Sequence, residues 1–243
     1  MSRRRADLLL VERGFFDSRA KARAAIEAGL VRAGGEPVRK AADMLDPDAA
    51  IEAQAPHPWV SRGGVKLAAA LDAFGIDPSA RTCLDCGAST GGFTQVLLAR
   101  GAAKVYAVDV GRGQLHRDVA GDARVVSLEG TDARTLDRAL VPDPIEVLAV
   151  DVSFISLRLV LPPLVPLLAP GAWLAALIKP QFEAGRAALS KGGIVRDEAV
   201  RTAVCQEIEA LVRGLGFQVL GLVPSPIAGG DGNVEFLIGA RLG

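Results

Sequence analysis

The apolar positions of this chain form a small opening group and then a long alternating series. In the opening group, Arg5 to Gly14 reads as a short amphipathic helix ended by glycine. Arg19 to Ala28 reads as a second one, capped by Asp17 or Ser18 and closed by Gly29. Ala22 and Ile26 can pack inward, while Arg19 and Arg23 make a basic flank with Lys21 one residue off their row. Leu30-Val31-Arg32 and Pro37-Val38-Arg39, parted by a Gly34-Gly35 turn, read as small strands. Asp46-Pro47-Asp48 and Pro56-His57-Pro58 bracket a semi-stiff spacer. The expected organisation is a domain of residues 1–56, a linker of 57–62 and a domain of 63–243.

In the long series, Val65 to Phe74 reads as an Ala/Leu-rich helix and Arg81 to Leu84 as a buried strand. A glycine-rich turn then leads into a helix over Thr94 to Arg100 that stops at Gly101. Strands are expected at Val105–Asp109, Val125–Leu128, Val147–Asp151, Trp173–Lys179, Gln218–Val223 and Val234–Ala240. Helical stretches lie between them around Leu115, around Leu136, over Leu159–Leu168 and over Asp197–Leu215. Such alternation predicts an α/β fold with a mostly parallel, doubly wound sheet. Only Pro224 to Asn233 part the last two strands, too few residues for a helical crossover, so those two are expected to pair antiparallel. One reversed strand at the end of a parallel sheet resembles the Rossmann-like class I methyltransferases.

The turn itself, Asp85-Cys86-Gly87-Ala88-Ser89-Thr90-Gly91-Gly92-Phe93, is a ligand cradle. A strand that ends in a carboxylate and turns through glycines into a helix aims backbone N–H groups at one concavity. Phe93 stands where a P-loop needs lysine, and Ser89 where the dinucleotide fingerprint needs its second glycine. Asp109 ends the next strand, where such folds hold a ribose hydroxyl. An adenosine ligand without phosphates fits both facts, and S-adenosyl-L-methionine is the common one.

Composition adds a location and a partner. Half of the 243 residues are apolar, enough for a sizeable core, and 28 Lys/Arg balance 28 Asp/Glu. Residues 1–40, however, carry ten Lys/Arg against five Asp/Glu, a local basic patch suited to a polyanion. Three cysteines make no even disulfide framework, which points to a reducing cytoplasm. Cys83-x-x-Cys86 would need two more ligands to hold a metal, and neither His57 nor His116 has the spacing, so no metal is expected. No apolar segment has the length of a signal or a membrane span.

Chemistry is expected at the carboxyl ends of the strands. Asp151 and Lys179 each close an apolar run that must be buried, and a charge there needs a partner, so the two are expected to pair. Glu235 lies in the expected final strand and Lys66 in the opening helix.

Two resemblances sharpen this reading. Leu8-Leu9-Leu10-Val11, Asp17-Ser18-Arg19-Ala20-Lys21-Ala22, Gly29-Leu30-Val31 and the glycine pair resemble the alpha-L RNA-binding domain of a ribosomal protein and several rRNA-modifying enzymes. That likeness implies a small α+β domain that meets RNA phosphates through Arg3, Arg4, Arg19, Lys21, Arg23, Arg32 and Lys40. The tetrad Lys66, Asp151, Lys179 and Glu235 resembles that of the FtsJ-type ribose 2′-O-methyltransferases. Trp59 to Leu67, Asp151 to Leu157, Ile178 to Glu183, Gly192 to Asp197 and Gly232 to Phe236 are similar to the TlyA family, rRNA 2′-O-methyltransferases also known as haemolysins.

The resemblance implies 2′-O-methylation of ribosomal RNA, at cytidine in the small or the large subunit, with ribosomal RNA or subunits as partners. It implies cofactor contacts from Asp85, Gly87, Ala88, Ser89, Gly91, Gly92 and Phe93, from Asp109 at the ribose, and from Asp132 and Ala133 with Arg134 near the adenine. Burial disfavours the charged form of an amine, and a neutral amine can take a proton, so Lys179 is the candidate general base. Asp151 would orient it, and Lys66 and Glu235 would hold the ribose and the lysine network.

Rival readings leave parts of the chain unused. A membrane-acting cytolysin needs an amphipathic or spanning segment, yet the most apolar run, Leu157 to Leu168, is broken by Pro162, Pro163 and Pro166. A non-catalytic rRNA-binding or assembly protein has no need of an intact tetrad, and a pseudouridine synthase has no use for an adenosine cradle. Neither DNA nor stable membrane association is expected. Phe182 could stack on a base or belong to the core, and Lys191 to Arg196 could be a basic loop or the approach to a helix capped by Asp197.

Overall fold

The computed structural model describes residues 3–229 and 232–243, which divide into two compact units, one up to Pro58 and one from Trp59 to Gly243. The first contains β1 (Arg4–Arg5), α1 (Ala6–Glu12), α2 (Arg19–Glu27), β2 (Val31–Ala33), β3 (Glu36–Pro37), β4 (Met44–Leu45) and β5 (Ile51–Ala53). β2 pairs antiparallel with β3 and β5, and β1 with β4. Leu10, Phe16, Ala22, Ile26 and Val31 form the core. Ser18 is the cap of α2, its Oγ accepting from the Lys21 amide at 3.3 Å.

Asp7 is fully buried in this unit and accepts from Arg5 Nε at 3.0 Å and Arg19 Nη2 at 2.7 Å. The Arg5 hydrogen bond, then that of Arg19, holds the carboxyl far below the usual carboxylate range against the opposing effect of burial. A carboxylate survives there because two guanidiniums neutralise it.

The second unit contains α3 (Gly63–Phe74), β6 (Thr82–Cys86), α4 (Gly92–Ala99), β7 (Lys104–Asp109), α5 (Arg117–Ala120), β8 (Val125–Glu129), β9 (Ile145–Val150) and α6 (Leu157–Leu164). It continues through β10 (Leu168–Ile178), α7 (Pro180–Glu183), α8 (Glu198–Gly214), β11 (Phe217–Pro224) and β12 (Phe236–Leu242). The seven strands lie in the order β11-β12-β10-β9-β6-β7-β8. β8, β7, β6, β9 and β10 run parallel, and β12 runs antiparallel to both of its neighbours. Both faces are covered, which is why the central strands are largely apolar. Cys83, Val147, Ala149 and Leu177 pack with Leu67, Leu71 and Leu97, whereas Leu84, Leu148, Val150 and Ile178 pack with Leu161, Ile208 and Val212. Cys83 and Cys86 therefore face opposite layers, and no group of metal-ligating side chains occurs among the described residues.

Several boundaries depart from the sequence reading, each for a local reason. The reversed strand sits inside the sheet rather than at its margin: β12 buries Leu237, Ile238 and Ala240 on two flanks, and β11, with Leu220 exposed, takes the edge. Glu235 precedes β12 instead of lying within it. The helix expected over Leu159–Leu168 ends at Leu164, because Val165–Leu167 tightens into a 3₁₀ turn around Pro166 and Leu168 already opens β10. Around Leu136 only a 3₁₀ turn forms, Ala133–Thr135. None of the described helices is long and apolar enough to cross a membrane.

Candidate active site

The glycine-rich turn is built by close approach. Gly87 has φ +91°, and a Cβ there would lie 2.3 Å from the Asp151 carbonyl oxygen. Any side chain would drive the loop off the adjacent strand end. A Cβ on Gly92 would lie 2.1 Å from Ser61 Oγ. Ser89, with φ +46°, is a non-glycine residue in the left-handed region. It is held by its amide, which donates to Asp109 Oδ2 at 2.8 Å, while Asp109 Oδ1 accepts from the Gly111 amide at 2.7 Å. Asp109 thus shapes the loop and keeps lone pairs for a ligand.

Beside this turn lies a hollow of about 470 Å³, within the size range of small-molecule sites. Cys86, Gly87, Ser89 and Asp109 form one wall, Asp132, Ala133 and Arg134 another, and Asp151, Val152, Ser153, Phe154 and Ile155 a third. A second hollow of about 190 Å³ shares Gly87, Ser89, Asp151 and Ser153 with it and adds Ser61, Ala88, Gly92, Phe93 and Lys179. The Arg134 guanidinium pairs with Asp132 at 2.6 Å, so this wall offers no uncommitted cation for a polyphosphate. The Asp109 carboxylate, a glycine cradle and apolar patches from Val108, Val152, Ile155 and Val160 fit a nucleoside without phosphates.

Two of the expected cofactor residues stand apart from these walls. Asp85 is fully buried and lines neither hollow. It lies within β6, so the strand's alternation turns its side chain under the loop, where Thr94 Oγ1 donates to Oδ2 at 2.6 Å. Burial, partly offset by that hydrogen bond, pushes this carboxyl up to about 7. Gly91 also faces away, caps α4 with φ +91° and packs on Leu115 and Val119. Phe93 reaches the second hollow only from the core, being 4% exposed.

The tetrad forms two ion pairs at neighbouring strand ends. Lys179 Nζ lies 2.6 Å from Asp151 Oδ1. That contact is ionic and lacks hydrogen-bond alignment, whereas Nζ donates to Ser153 Oγ at 2.9 Å. Lys66 Nζ meets Glu235 Oε2 at 2.5 Å, with both side chains buried. Ile178 is paired with Phe236, so Lys179 and Glu235 each stand one residue beyond the last cross-strand pair.

Sequence reasoning passed over Ser153, Phe154 and Glu183. Phe154 is 90% exposed, has φ +64°, and its ring centroid lies 5.1 Å from that of half-buried Phe182. Glu183 is buried and accepts from the Leu157 amide at 2.8 Å and from Ser156 Oγ, tying the segment after Lys179 to the loop after Asp151. A left-handed aromatic and a polar side chain in a loop leave no periodic signal. Their traces are a place between the Asp151 strand end and the next helix, and membership of the Asp151 to Leu157 segment that carries the family resemblance.

In the first unit, Arg3, Arg23, Arg32 and Lys40 are exposed. Arg4 pairs with Glu12, Lys21 with Asp17 at 2.7 Å and Arg19 with Asp7. Arg32 donates to the Gly35 carbonyl at 2.6 Å and keeps its turn closed. In the second unit Asp197 caps α8, accepting from the Ala199 amide at 2.8 Å, and buried Asn233 ties the preceding loop through Val195 and Gly193.

A parallel sheet with a single reversed strand, and a glycine cradle at the switch between β6 and β9, define a Rossmann-like class I methyltransferase unit. The family described as FtsJ-like methyltransferase matches residues 59–242, and the S4 domain matches residues 4–51. The 16S/23S rRNA (cytidine-2′-O)-methyltransferase TlyA of Mycobacterium tuberculosis is 43% identical, over 99% of this chain and 91% of its own. Hemolysin A of Brachyspira hyodysenteriae is 41% identical, over 96% and 98%. A solved structure of a hemolysin-named protein from Streptococcus thermophilus has a TM-score of 0.78 and 40% identity, covering 100% of this chain and 89% of that one. The chain belongs to the FtsJ-like methyltransferase family, in its TlyA branch.

Proposed function

We propose that this protein methylates the 2′-hydroxyl of a cytidine ribose in ribosomal RNA, using S-adenosylmethionine, in the cytoplasm. The observation that carries the reading is the Lys179–Asp151 pair in the wall of a hollow that shares Gly87, Ser89, Asp151 and Ser153 with the larger one. When bound, S-adenosylmethionine supplies a methyl group already activated by its sulfonium. What remains for the chain is to align a ribose hydroxyl and take its proton.

Lys179 is the proposed acceptor of that proton, and Asp151 keeps its amine at the strand end. Lys66 and Glu235, both buried and lining neither hollow, brace the neighbouring strand end against which the ribose would rest. Asp109 and the Gly87–Gly92 turn hold the adenosine part, with Asp132 and Ala133 at its far side. Phe154, presented with Phe182 at the rim, offers a face on which an unstacked base can lie. The basic S4 unit supports an RNA substrate, and Arg3, Arg4, Arg19, Lys21, Arg23, Arg32 and Lys40 are its proposed phosphate contacts. The TlyA name of the mycobacterial relative supports cytidine as the target.

The test is transfer of a labelled methyl from S-adenosylmethionine to ribosomal subunits or naked rRNA lacking the modification, followed by digestion to nucleosides. Label in 2′-O-methylcytidine is the expected result. Label in a base, or no transfer to either substrate, would overturn the reading.

A further inference from the structure

We propose that Ser153 is a positioning residue for Lys179, giving the amine the direction that Asp151 alone does not supply. The inference rests on Lys179 being the proton acceptor. A lysine amine rotates freely about its last bond, and an ion pair fixes its distance from a carboxylate better than its orientation. Among the described residues, Asp151 Oδ1 lies 2.6 Å from Nζ without hydrogen-bond alignment, and the aligned bond of Nζ runs to Ser153 Oγ at 2.9 Å.

In the deprotonated form that accepts the proton, the Lys179 amine has two N–H bonds and one lone pair in tetrahedral array around nitrogen. With one N–H directed to Ser153 and the other on the Asp151 side, the lone pair takes the remaining corner. Lys179, Ser153 and Asp151 all line the smaller hollow, and in the proposed arrangement that corner turns toward a hydroxyl entering it. Asp151 keeps the lysine near; Ser153 sets which way it looks.

Ser153 belongs to the loop that begins at Asp151 and carries Phe154 in its left-handed conformation. Glu183 fastens the end of that loop to the segment following Lys179. The hydroxyl is therefore held on a braced scaffold rather than on a free tip, as an orienting contact requires.

The experiment compares single-turnover methyl transfer by wild type, Ser153→Ala, Ser153→Cys, Ser153→Thr and Lys179→Ala, with separate measurement of S-adenosylmethionine and RNA dissociation constants. Loss of a hydrogen bond to this amine predicts a rate roughly 10- to 100-fold slower in Ser153→Ala. Ser153→Cys, similar in size but a poor acceptor, should be slowed alike, and Ser153→Thr should recover to within about threefold of wild type. Both dissociation constants should stay within about threefold. An Ala variant at wild-type rate, a Thr variant as slow as Ala, or a loss confined to the dissociation constants would each overturn the inference. If Lys179→Ala keeps its rate, the proton-acceptor reading falls, and this inference with it. A dead Lys179→Ala beside an unaffected Ser153→Ala removes Ser153 alone.

Discussion

Lys66 reaches Glu235 across 169 positions of sequence and meets it at 2.5 Å, with 8% and 3% of the two side chains exposed. Removing one member of such a pair strands a buried charge, which costs about 3–5 kcal/mol, whereas exchanging both for apolar residues of similar volume is often neutral. Glu235→Leu should therefore lower the unfolding midpoint markedly, and Lys66→Met with Glu235→Leu should restore most of it. If the pair also serves the ribose, the stable double variant stays inactive. Denaturant unfolding with a parallel transfer assay checks both halves, and full activity in the double variant would confine the pair to stability.

Lys179 and Asp151 lead to a sharper division between chemistry and binding. Proton transfer by a positioned side chain contributes typically 10²- to 10⁴-fold. Lys179→Ala is expected to lose at least about 100-fold in rate while S-adenosylmethionine binds within about threefold of wild type. Calorimetry beside single-turnover kinetics tests this, and a loss wholly in cofactor affinity would move Lys179 from the chemistry to the cofactor.

Phe154 combines exposure with a backbone conformation that side chains rarely adopt. Strain of this sort persists where the surroundings enforce it. Base stacking on an aromatic is worth about 1–3 kcal/mol, so Phe154→Ala should weaken RNA engagement about tenfold or more, with Phe154→Tyr close to wild type. Phe154→Gly relieves the strain and should raise the unfolding midpoint while weakening RNA engagement as Ala does. Equal RNA affinity in all of these variants would contradict a stacking role.

Asp85 gives a pH dependence with a defined sign. Its carboxyl moves from 3.8 to about 7 through burial, offset by Thr94, so the fold favours the protonated form. Its contribution is present in full below the unfolded value and is lost as pH rises through about 7. Asp85→Asn keeps an acceptor for Thr94 and cannot ionise. Between about pH 4 and about pH 7, the wild-type midpoint should therefore fall more steeply than that of the variant. Parallel profiles in a thermal-melt series would mean that Asp85 is ionised throughout.

The basic flank of α2 makes a prediction about salt. Each phosphate contact adds close to one unit of slope to the dependence of log K on log salt. Replacing Arg19, Lys21 and Arg23 together should weaken rRNA binding and flatten that slope, while Asp7→Asn should weaken it less, by loosening Arg19. An unchanged slope in the triple variant would remove this helix from the RNA contact.

How much of this was legible in the sequence depends on where the information lies. The central strands were readable because burial on both faces makes Val105 to Val108 and Val147 to Val150 continuously apolar. The opening of β10 was hidden, since Ala169-Pro170-Gly171 carries the punctuation of a turn. The charged strand ends announced themselves as polar residues closing apolar runs, so Asp151 and Lys179 could be paired in advance. Asp85 reads in the sequence as the end of its strand, whereas β6 runs one residue further, to Cys86, and Asp85 is buried. Ser153 and Phe154 lie in a loop whose far end, at Ser156 and Leu157, is tied to Glu183 of another segment, a relation that no local pattern encodes.

The most direct test is to map 2′-O-methylation across ribosomal RNA from cells carrying the wild-type chain and from cells carrying Lys179→Ala at matched protein level. One or more cytidines methylated with the wild type and unmethylated with the variant is the predicted result. Identical maps from the two would contradict the account at its centre.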